Sequence, residues 1–142
     1  MEVVIGDLEV NDLTTCFLDT LSSLAEVRLT PAEAAEILSE RRRAGIRTYA
    51  ARAGAEVVGT ASLLVERKFI HGGGRVGHIE DVAVRRGFQK QGIGAALVRH
   101  ATEQARKLGC YKVILSCFEK VAPFYEELGF RRHDLGMRID VA

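Results

Sequence analysis

The sequence predicts a mixed α/β sandwich built by one domain, residues 1–142. Three observations predict this fold class. Apolar segments of strand length alternate with amphipathic segments of helical length, a glycine-rich turn joins one strand to the longest helix, and no linker, repeat or low-complexity stretch divides the chain. The expected order of elements is β-α-α-β-β-β-α-β-α-β, and 142 residues are enough to bury one core.

Local signals place each element. Strands are expected at residues 3–8, 48–52, 57–67, 78–84, 112–116 and 137–141, helices at 13–24, 31–44, 93–108 and 122–128, and a flexible triple-glycine loop at 72–74. Asn11 or Asp12 is expected to cap the first helix. The second has a stronger start signal, because Thr30, Pro31 and Glu33 have the spacing of a capping box with proline at the first helical position.

Composition limits the class of protein. The chain is 47% hydrophobic and 27% charged, as soluble globular proteins are, and its net charge of +1 argues against a nucleic-acid partner. No apolar run reaches the roughly 18 residues that a bilayer span requires, so no membrane partner is expected. The N-terminus lacks a signal-peptide pattern, which favours an intracellular location, with the cytoplasm preferred and an organelle left open. Cysteine and histidine spacing predicts no metal site.

The turn between residues 84 and 95 has the character of a diphosphate-binding loop. Apolar residues recur at helical spacing after it, so the helix begins near Gly92 and Gly94. The first N–H groups of a helix lack acceptors and carry partial positive charge, and glycine lets a phosphate approach them closely. Arg85, Arg86 and Lys90 add positive charge nearby.

Other phosphate loops fit these residues less well. A P-loop requires Gly-Lys-Ser/Thr, but Gly94 is followed by Ala95, and a dinucleotide fingerprint requires a third glycine where Leu97 stands. The remaining pattern, Gln-x-x-Gly-x-Gly from Gln89 to Gly94, resembles the pyrophosphate loop of the GNAT superfamily of acyl-CoA N-acyltransferases. Taken alone, the same six residues also suit an ordinary glycine turn before a helix, so the flanking sequence decides.

The flanks make the resemblance narrower. Five segments have the order and spacing found in eukaryotic-type glucosamine-6-phosphate N-acetyltransferases: Lys-Phe-Ile-His at 68–71, Gly-His-Ile-Glu-Asp-Val-Ala-Val at 77–84, the loop at 89–94, Gly-Cys-Tyr-Lys-Val-Ile-Leu at 109–115 and Phe-Tyr-Glu-Glu-Leu-Gly-Phe at 124–130. The similarity runs from about Val65 to Phe130. Before Thr48 only the helix layout and the Thr30-Pro31 pair match.

This resemblance implies a fold, a reaction and an assembly. The fold is the GNAT type of α/β (α+β) structure, with a mixed, mostly antiparallel sheet, flanking helices and strands that splay at the acyl-CoA site. The reaction is direct attack by the amine of D-glucosamine 6-phosphate on acetyl-CoA, which gives N-acetylglucosamine 6-phosphate for UDP-N-acetylglucosamine synthesis without a metal. The assembly is a homodimer with sites shared across the interface.

The resemblance also assigns roles to residues. The acetyl-CoA set is Val82, Ala83, Val84, Gln89, Lys90, Gln91, Gly92, Ile93, Gly94, Ala95, Ser116 and Tyr125. The sugar-phosphate set is Lys68, Phe69, Ile70, His71, Glu80, Asp81, Tyr111, Lys112 and Arg138. The catalytic set is Glu80, Asp81, Ser116 and Tyr125, with Tyr125 donating a proton or hydrogen bond to the departing thiolate. On a regular strand, neighbours such as Glu80 and Asp81 face opposite ways, so one is expected to line the site and the other to serve structure.

Three departures from the family pattern leave alternatives open. Ser116 stands where the family has an acidic residue, so Glu80 or water would take the proton, and Val121 stands where the superfamily often has asparagine. Asp140 replaces an arginine that binds the sugar phosphate, and Arg138, on the same strand face, is the expected substitute. A GNAT enzyme for another small amine or a protein amine, and a non-catalytic acyl-CoA-binding module, therefore remain alternatives.

Overall fold

A computed structural model describes residues 2–142 of the chain as one five-stranded sheet with helices on both faces. The strands are β1 (Val3–Asp7), β2 (Arg47–Ala53), β3 (Glu56–Arg67), β4 (Arg75–Val84) and β5 (Cys110–Ile114). They lie in sequence order, antiparallel from β1 to β4, and β5 runs parallel to β4. The predicted mixed, mostly antiparallel sheet is confirmed.

Five helices accompany the sheet: α1 (Phe17–Leu21), α2 (Pro31–Arg43), α3 (Ile70–Gly73), α4 (Ile93–Lys107) and α5 (Ala122–Glu127). The two sides of the sheet bury different clusters, because alternate strand residues face opposite ways. Leu97 and Ala101 of α4 pack with Ala61 and Leu63 of β3 in one cluster. The other cluster joins α1 and α2 to the opposite side of β2 and β3, and contains Leu8, Leu13, Phe17, Ala34, Leu38, Ala50 and Val57. No helix within residues 2–142 has the length and hydropathy to cross a membrane.

The first predicted helix is wrong in its extent. A 3-10 turn, Val10–Thr14, comes first, and Cys16 then adopts a left-handed conformation with φ of 74° before the short α1. Asp12 does not cap α1, because its carboxylate accepts hydrogen bonds from the Arg52 guanidinium and the Glu9 N–H. The bond from Arg52 spans forty positions and ties the turn to β2.

The capping box of α2 is confirmed. The Glu33 N–H donates to Thr30 Oγ1 at 3.1 Å, and the Thr30 N–H donates to Glu33 Oε1 at 3.0 Å. Both bonds satisfy donors that a helix start would leave unpaired. A glycine loop does lie at 72–74: Gly72 and Gly73 have positive φ, 65° and 74°, so α3 is no more than an irregular turn, and β4 begins at Arg75.

The predicted last strand, 137–141, does not form, since no strand is assigned after β5 in the described chain. β5 also ends at Ile114, two residues before its expected end. The C-terminal segment, 135–142, still carries alternating apolar side chains, and all are more than four-fifths exposed: Leu135, Met137, Ile139 and Val141. A strand requires a neighbour for its backbone groups, and this segment finds none within its own chain.

Candidate functional site

The loop before α4 has the backbone geometry of an anion site. Lys90 and Gly92 both have positive φ, 61° and 83°, and Gly92 is the residue from which α4 starts. α4 has no acidic residue in its first turn, so its first N–H groups present unopposed positive charge. The Gln89 side chain donates to the Val84 carbonyl at 3.2 Å and ties the loop to the end of β4.

Gly94 brings three elements together beside this loop. A Cβ on Gly94 would lie 3.5 Å from Phe124 Cζ and 3.6 Å from Val84 Cγ2, so α4, α5 and the end of β4 meet there. The loop therefore opens toward the end of β4 and toward the helix that carries Tyr125.

The end of β4 has an unpaired edge. β5 pairs with β4 only as far as the His78–Ile114 pair. From Ile79 to Val84, the side of β4 that β5 leaves open has no strand partner among residues 2–142. These backbone groups are free to bind an extended ligand, and they lead directly into the loop before α4.

A β-bulge interrupts β4 at the acidic pair. Thr60 pairs with Ala83 and Ser62 pairs with Glu80, so two residues of β4, Asp81 and Val82, lie opposite the single residue between Thr60 and Ser62. Asp81 has φ of 51°, which is strained for a non-glycine residue. Backbone strain of this kind is concentrated at functional sites.

The bulge places both carboxylates on the same face. Glu80 is the cross-strand partner of Ser62, and Asp81 lines a cavity with Ser62. The expectation that they face opposite ways is wrong, because it assumed a regular strand. Both residues are exposed, and neither forms a salt bridge with a cation of the described chain.

A cavity of about 110 Å³ lies between this face and α1–α2. Its apolar wall consists of Leu8, Leu13, Phe17, Leu18, Leu21, Leu29, Ala34, Ile37 and Leu38. Its polar side consists of Arg41, Thr48, Thr60, Ser62 and Asp81. The sequence-based site contained Asp81 alone of these five. The pattern of Ala34, Leu38 and Arg41, separated by four and then three positions, could have indicated that Arg41 faces inward.

Tyr125 is half-buried in α5, and its ring packs edge-on against Phe124 at 4.9 Å and Phe130 at 5.8 Å between centroids. Burial raises the pKa of the Tyr125 phenol, and the nearby Cys117 thiol raises it further. The phenol therefore keeps its proton at neutral pH, as a proton donor must. Ser116 lies on the exposed segment after β5, and its hydroxyl has no hydrogen-bond partner among the described residues.

The other predicted substrate residues form a second cluster at the opposite end of β4. The His71 and Tyr111 rings lie 4.7 Å apart, and Lys112 Nζ lies 5.7 Å from the centre of the Tyr111 ring. Lys68 pairs with Glu66 at 3.1 Å. Phe69 and Ile70 also belong to this cluster by position, and both are exposed.

One chain keeps His71 and Tyr111 apart from the acidic pair. Lys68 reaches toward that pair, because its partner Glu66 also lies 3.0 Å from His78 Nε2, two residues before Glu80. The second cluster surrounds Arg75, the first residue of β4, and Glu80 lies five residues further along. At about 3.3 Å per strand residue, Glu80 lies roughly 17 Å along β4 from Arg75. Arg138 also stands apart, because its side chain is exposed and pairs with Asp140 at 2.8 Å.

Known proteins share both the sequence and the fold. The model of the acetyltransferase (GNAT) family matches residues 10–130. A glucosamine 6-phosphate N-acetyltransferase of Trypanosoma brucei brucei is 46% identical over 137 residues, which cover 94% of this chain and 92% of that protein. The crystal structure of a Trypanosoma brucei acetyltransferase is 44% identical and superposes with a TM-score of 0.91, and the match covers 99% of this chain and 100% of the acetyltransferase chain.

A more distant structure agrees. The crystal structure of glucosamine-6-phosphate N-acetyltransferase from Arabidopsis thaliana has a TM-score of 0.94 and 28% identity, with full coverage of both chains. The family model spans the loop before α4, the bulged strand β4 and Tyr125 together. The resemblance inferred from the motifs is confirmed, and the chain belongs to the GNAT family of acetyltransferases.

Proposed function

We propose that this chain transfers the acetyl group of acetyl-CoA to the amine of D-glucosamine 6-phosphate, giving N-acetylglucosamine 6-phosphate and CoA. The observation that carries the proposal is the 46% identity to the Trypanosoma brucei brucei enzyme of that name, which extends over 94% of this chain. The product would serve UDP-N-acetylglucosamine synthesis. An intracellular location is part of the proposal, because acetyl-CoA is made and used inside cells.

Acetyl-CoA fits the two adjoining features at the end of β4. The pyrophosphate would bind the positive N-terminus of α4 and the loop that Gln89 ties to Val84. The pantetheine arm would pair with the unpaired edge of β4 at Val82, Ala83 and Val84, which requires β4 and β5 to splay beyond His78. A backbone N–H of this edge would polarise the thioester carbonyl.

The acceptor amine would approach from the face that carries Glu80 and Asp81. Its nitrogen attacks the thioester carbon, the N–C bond forms, and the C–S bond breaks. The proton lost by the amine passes to Glu80 directly or through water, with Ser116 orienting the amine. Tyr125 donates a proton to the leaving thiolate, which its raised pKa permits, because the phenol is still protonated at neutral pH.

We also propose a homodimer with shared sites. His71 and Tyr111 lie roughly 17 Å along β4 from Glu80, too far to bind the same sugar in one chain. The alternating apolar side chains of the C-terminal segment, 135–142, are exposed, and the outer edge of β5 is open. A partner subunit would cover these apolar side chains and bring its His71 and Tyr111 to the first subunit's Glu80.

The first experiment is the loss of thioester absorbance from acetyl-CoA with glucosamine 6-phosphate, glucosamine or an amine-bearing peptide as acceptor. Turnover with the phosphorylated sugar supports the proposal. Turnover with the peptide alone would identify a protein acetyltransferase, and binding of acetyl-CoA without turnover would identify an acyl-CoA-binding module. Either result would overturn the proposal.

Mixed subunits test the shared site. Tyr111→Ala and Glu80→Gln, each inactive by itself, are expected to regain activity when mixed and allowed to exchange subunits, because one of the two sites in the mixed dimer is then intact. A Glu80→Gln and Asp81→Asn pair is the matched control, because both substitutions lie in the same half-site. If neither pair of variants regains activity on mixing, or if both pairs do, the proposal that the two subunits share each site is contradicted.

A further inference from the structure

One arginine of α2 lies on the polar side of the cavity defined above. Arg41, in the last turn of α2, donates from Nη2 to Ser62 Oγ at 2.7 Å and to Thr48 Oγ1 at 3.2 Å. Both hydroxyl-bearing residues are buried, at 4% and 9% exposure.

Arg41 lacks the counter-charge that comparable arginines have. Three arginines are half-buried in the described part of the chain. Arg52 pairs with Asp12, and Arg85 pairs with Glu56 at 3.1 Å, whereas Arg41 has no carboxylate within salt-bridge distance among residues 2–142. Both of its hydrogen bonds come from Nη2, so the Nε and Nη1 hydrogens remain available. A partly desolvated cation of this kind is suited to an anionic ligand.

The position of Arg41 relative to the acidic pair suggests which anion. Ser62, which accepts a hydrogen bond from Arg41, is the cross-strand partner of Glu80, and Asp81 lines the same cavity as Arg41. One face therefore presents two carboxylates and one unpaired guanidinium side by side. An amino sugar phosphate has the complementary groups, an amine and a phosphate on one ring.

Two of the other basic candidates for a phosphate are already paired with carboxylates of their own chain, and Lys112 is exposed and lies against the Tyr111 ring, away from the cavity. Lys68 lies 3.1 Å from Glu66, and Arg138 lies 2.8 Å from Asp140 with 85% of its side chain exposed. A phosphate would have to displace a carboxylate at either position. At Arg41 no carboxylate would have to be displaced, and the apolar wall of the cavity would strengthen the ion pair by lowering the local dielectric.

We propose that Arg41 binds the phosphate of the acceptor and so selects phosphorylated over unphosphorylated amino sugars. The inference rests on the proposed function, and it assigns that function's phosphate site to α2 of the same chain. Arginine suits the role because its planar fork can donate two parallel hydrogen bonds to phosphate oxygens.

Kinetics with two acceptors test the proposal. Arg41→Gln is expected to raise the KM for glucosamine 6-phosphate by about 10- to 100-fold, the range that loss of a charged hydrogen-bond partner produces. The kcat, the KM for acetyl-CoA and the slow reaction with unphosphorylated glucosamine should stay near wild type. Arg41→Lys keeps the charge without the fork and should give an intermediate KM.

Arg42→Gln is the matched control. Arg42 is the next residue of α2, and it donates to the Leu8 carbonyl at 2.7 Å and lies 3.5 Å from a Glu9 oxygen, so its loss also removes a tie between α2 and its surroundings. This variant should keep the wild-type preference for the phosphorylated acceptor. If Arg41→Gln lowers kcat/KM equally for both acceptors, Arg41 only tethers the helix and the inference is wrong.

A binding measurement separates this inference from the proposed function. Glucose 6-phosphate has the phosphate but no amine, and it should raise the Tm of wild type and Arg42→Gln more than that of Arg41→Gln. Equal protection of all three, or protection of none, would overturn the inference even if the enzyme acetylates glucosamine 6-phosphate. Loss of protection only in Arg41→Gln would support it even if wild type showed no turnover.

Discussion

Gly59 allows α4 to pack close to β3, and a single methyl group should disturb that contact. A Cβ at Gly59 would lie 2.8 Å from Leu97 Cδ1 and 2.9 Å from Ile93 Cγ2, although carbon atoms pack best at about 3.5–4.0 Å. Leu97 is fully buried and Ile93 is 5% exposed, so neither side chain has free space to move into. The helix must therefore move away from the sheet by several tenths of an ångström or more.

Gly59→Ala should cost about 1–2 kcal/mol of unfolding free energy. Overpacking a core costs about 1–3 kcal/mol. Replacing glycine by alanine within a strand returns about 0.5–1 kcal/mol of backbone entropy. Ile93 begins α4, so its displacement also moves the N–H groups proposed to bind pyrophosphate, and acetyl-CoA affinity should fall by up to about tenfold, or about 1.4 kcal/mol.

Urea unfolding and acetyl-CoA titration measure both effects, and Gly6→Ala is the matched control. Gly6 lies in β1, where a new Cβ would be an ordinary 3.6 Å from Arg52 Nη1. That substitution should leave stability unchanged or raise it. Adding Leu97→Val to Gly59→Ala removes the clashing Cδ1, so the pair should cost at least about 0.5 kcal/mol less than the sum of the single changes. Equal stability of Gly59→Ala and Gly6→Ala would refute the reasoning.

Three further outcomes are expected. Tyr125→Phe should lower kcat about 100-fold without changing the KM for acetyl-CoA. Because burial raises the pKa of the Tyr125 phenol, the rate of the wild-type enzyme should not fall through ionisation of Tyr125 below about pH 10. Gly92→Ala and Gly45→Ala, at φ of 83° and 77°, should each cost about 1–2 kcal/mol of stability, but only Gly92→Ala should weaken acetyl-CoA binding in a titration. Burial acts to raise the pKa of Asp12, but hydrogen bonds from Arg52 and a backbone N–H outweigh it and hold the pKa below 3.8. The resulting stabilisation is present above pH 3.8 and is lost as the pH falls through the pKa that Asp12 has in the folded protein. Urea unfolding should therefore show that Asp12→Asn loses less stability than wild type over this acidic range.

The sequence predicted elements whose signals are local and missed those that depend on distant contacts. The capping box at Thr30 and the apolar spacing of α4 act within one or two turns, and both predictions were confirmed. The 3-10 turn before Cys16 is held by the pairing of Asp12 with Arg52, forty positions away. The strand predicted from the alternation at 137–141 does not form, because a strand requires another strand to complete its hydrogen bonds.

The same distinction applies to the site. The Gln89–Gly94 loop and the acidic pair are contiguous motifs, so the sequence alone can indicate both as candidates. Arg41 and Ser62 are twenty-one positions apart and meet only because α2 packs across β3. Sequence alone also could not reveal that the two predicted substrate clusters lie at opposite ends of β4, because the motif order gives no distances.

The bulge in β4 explains how one strand can serve both sides of the sheet. Ile79 packs on the α4 side, and in a regular strand Asp81 would follow it there and bury a carboxylate against an apolar core, at a cost of several kcal/mol. The extra residue keeps Asp81 on the α2 side with Glu80 and returns Val82 and Val84 to the α4 side, where they pack. The strain at Asp81, of about 1–3 kcal/mol, is smaller than the burial that it avoids. The bulge therefore places the carboxylates of Glu80 and Asp81, which would face the acceptor amine, on one face of the sheet. On the other face it directs the end of β4 toward the loop before α4.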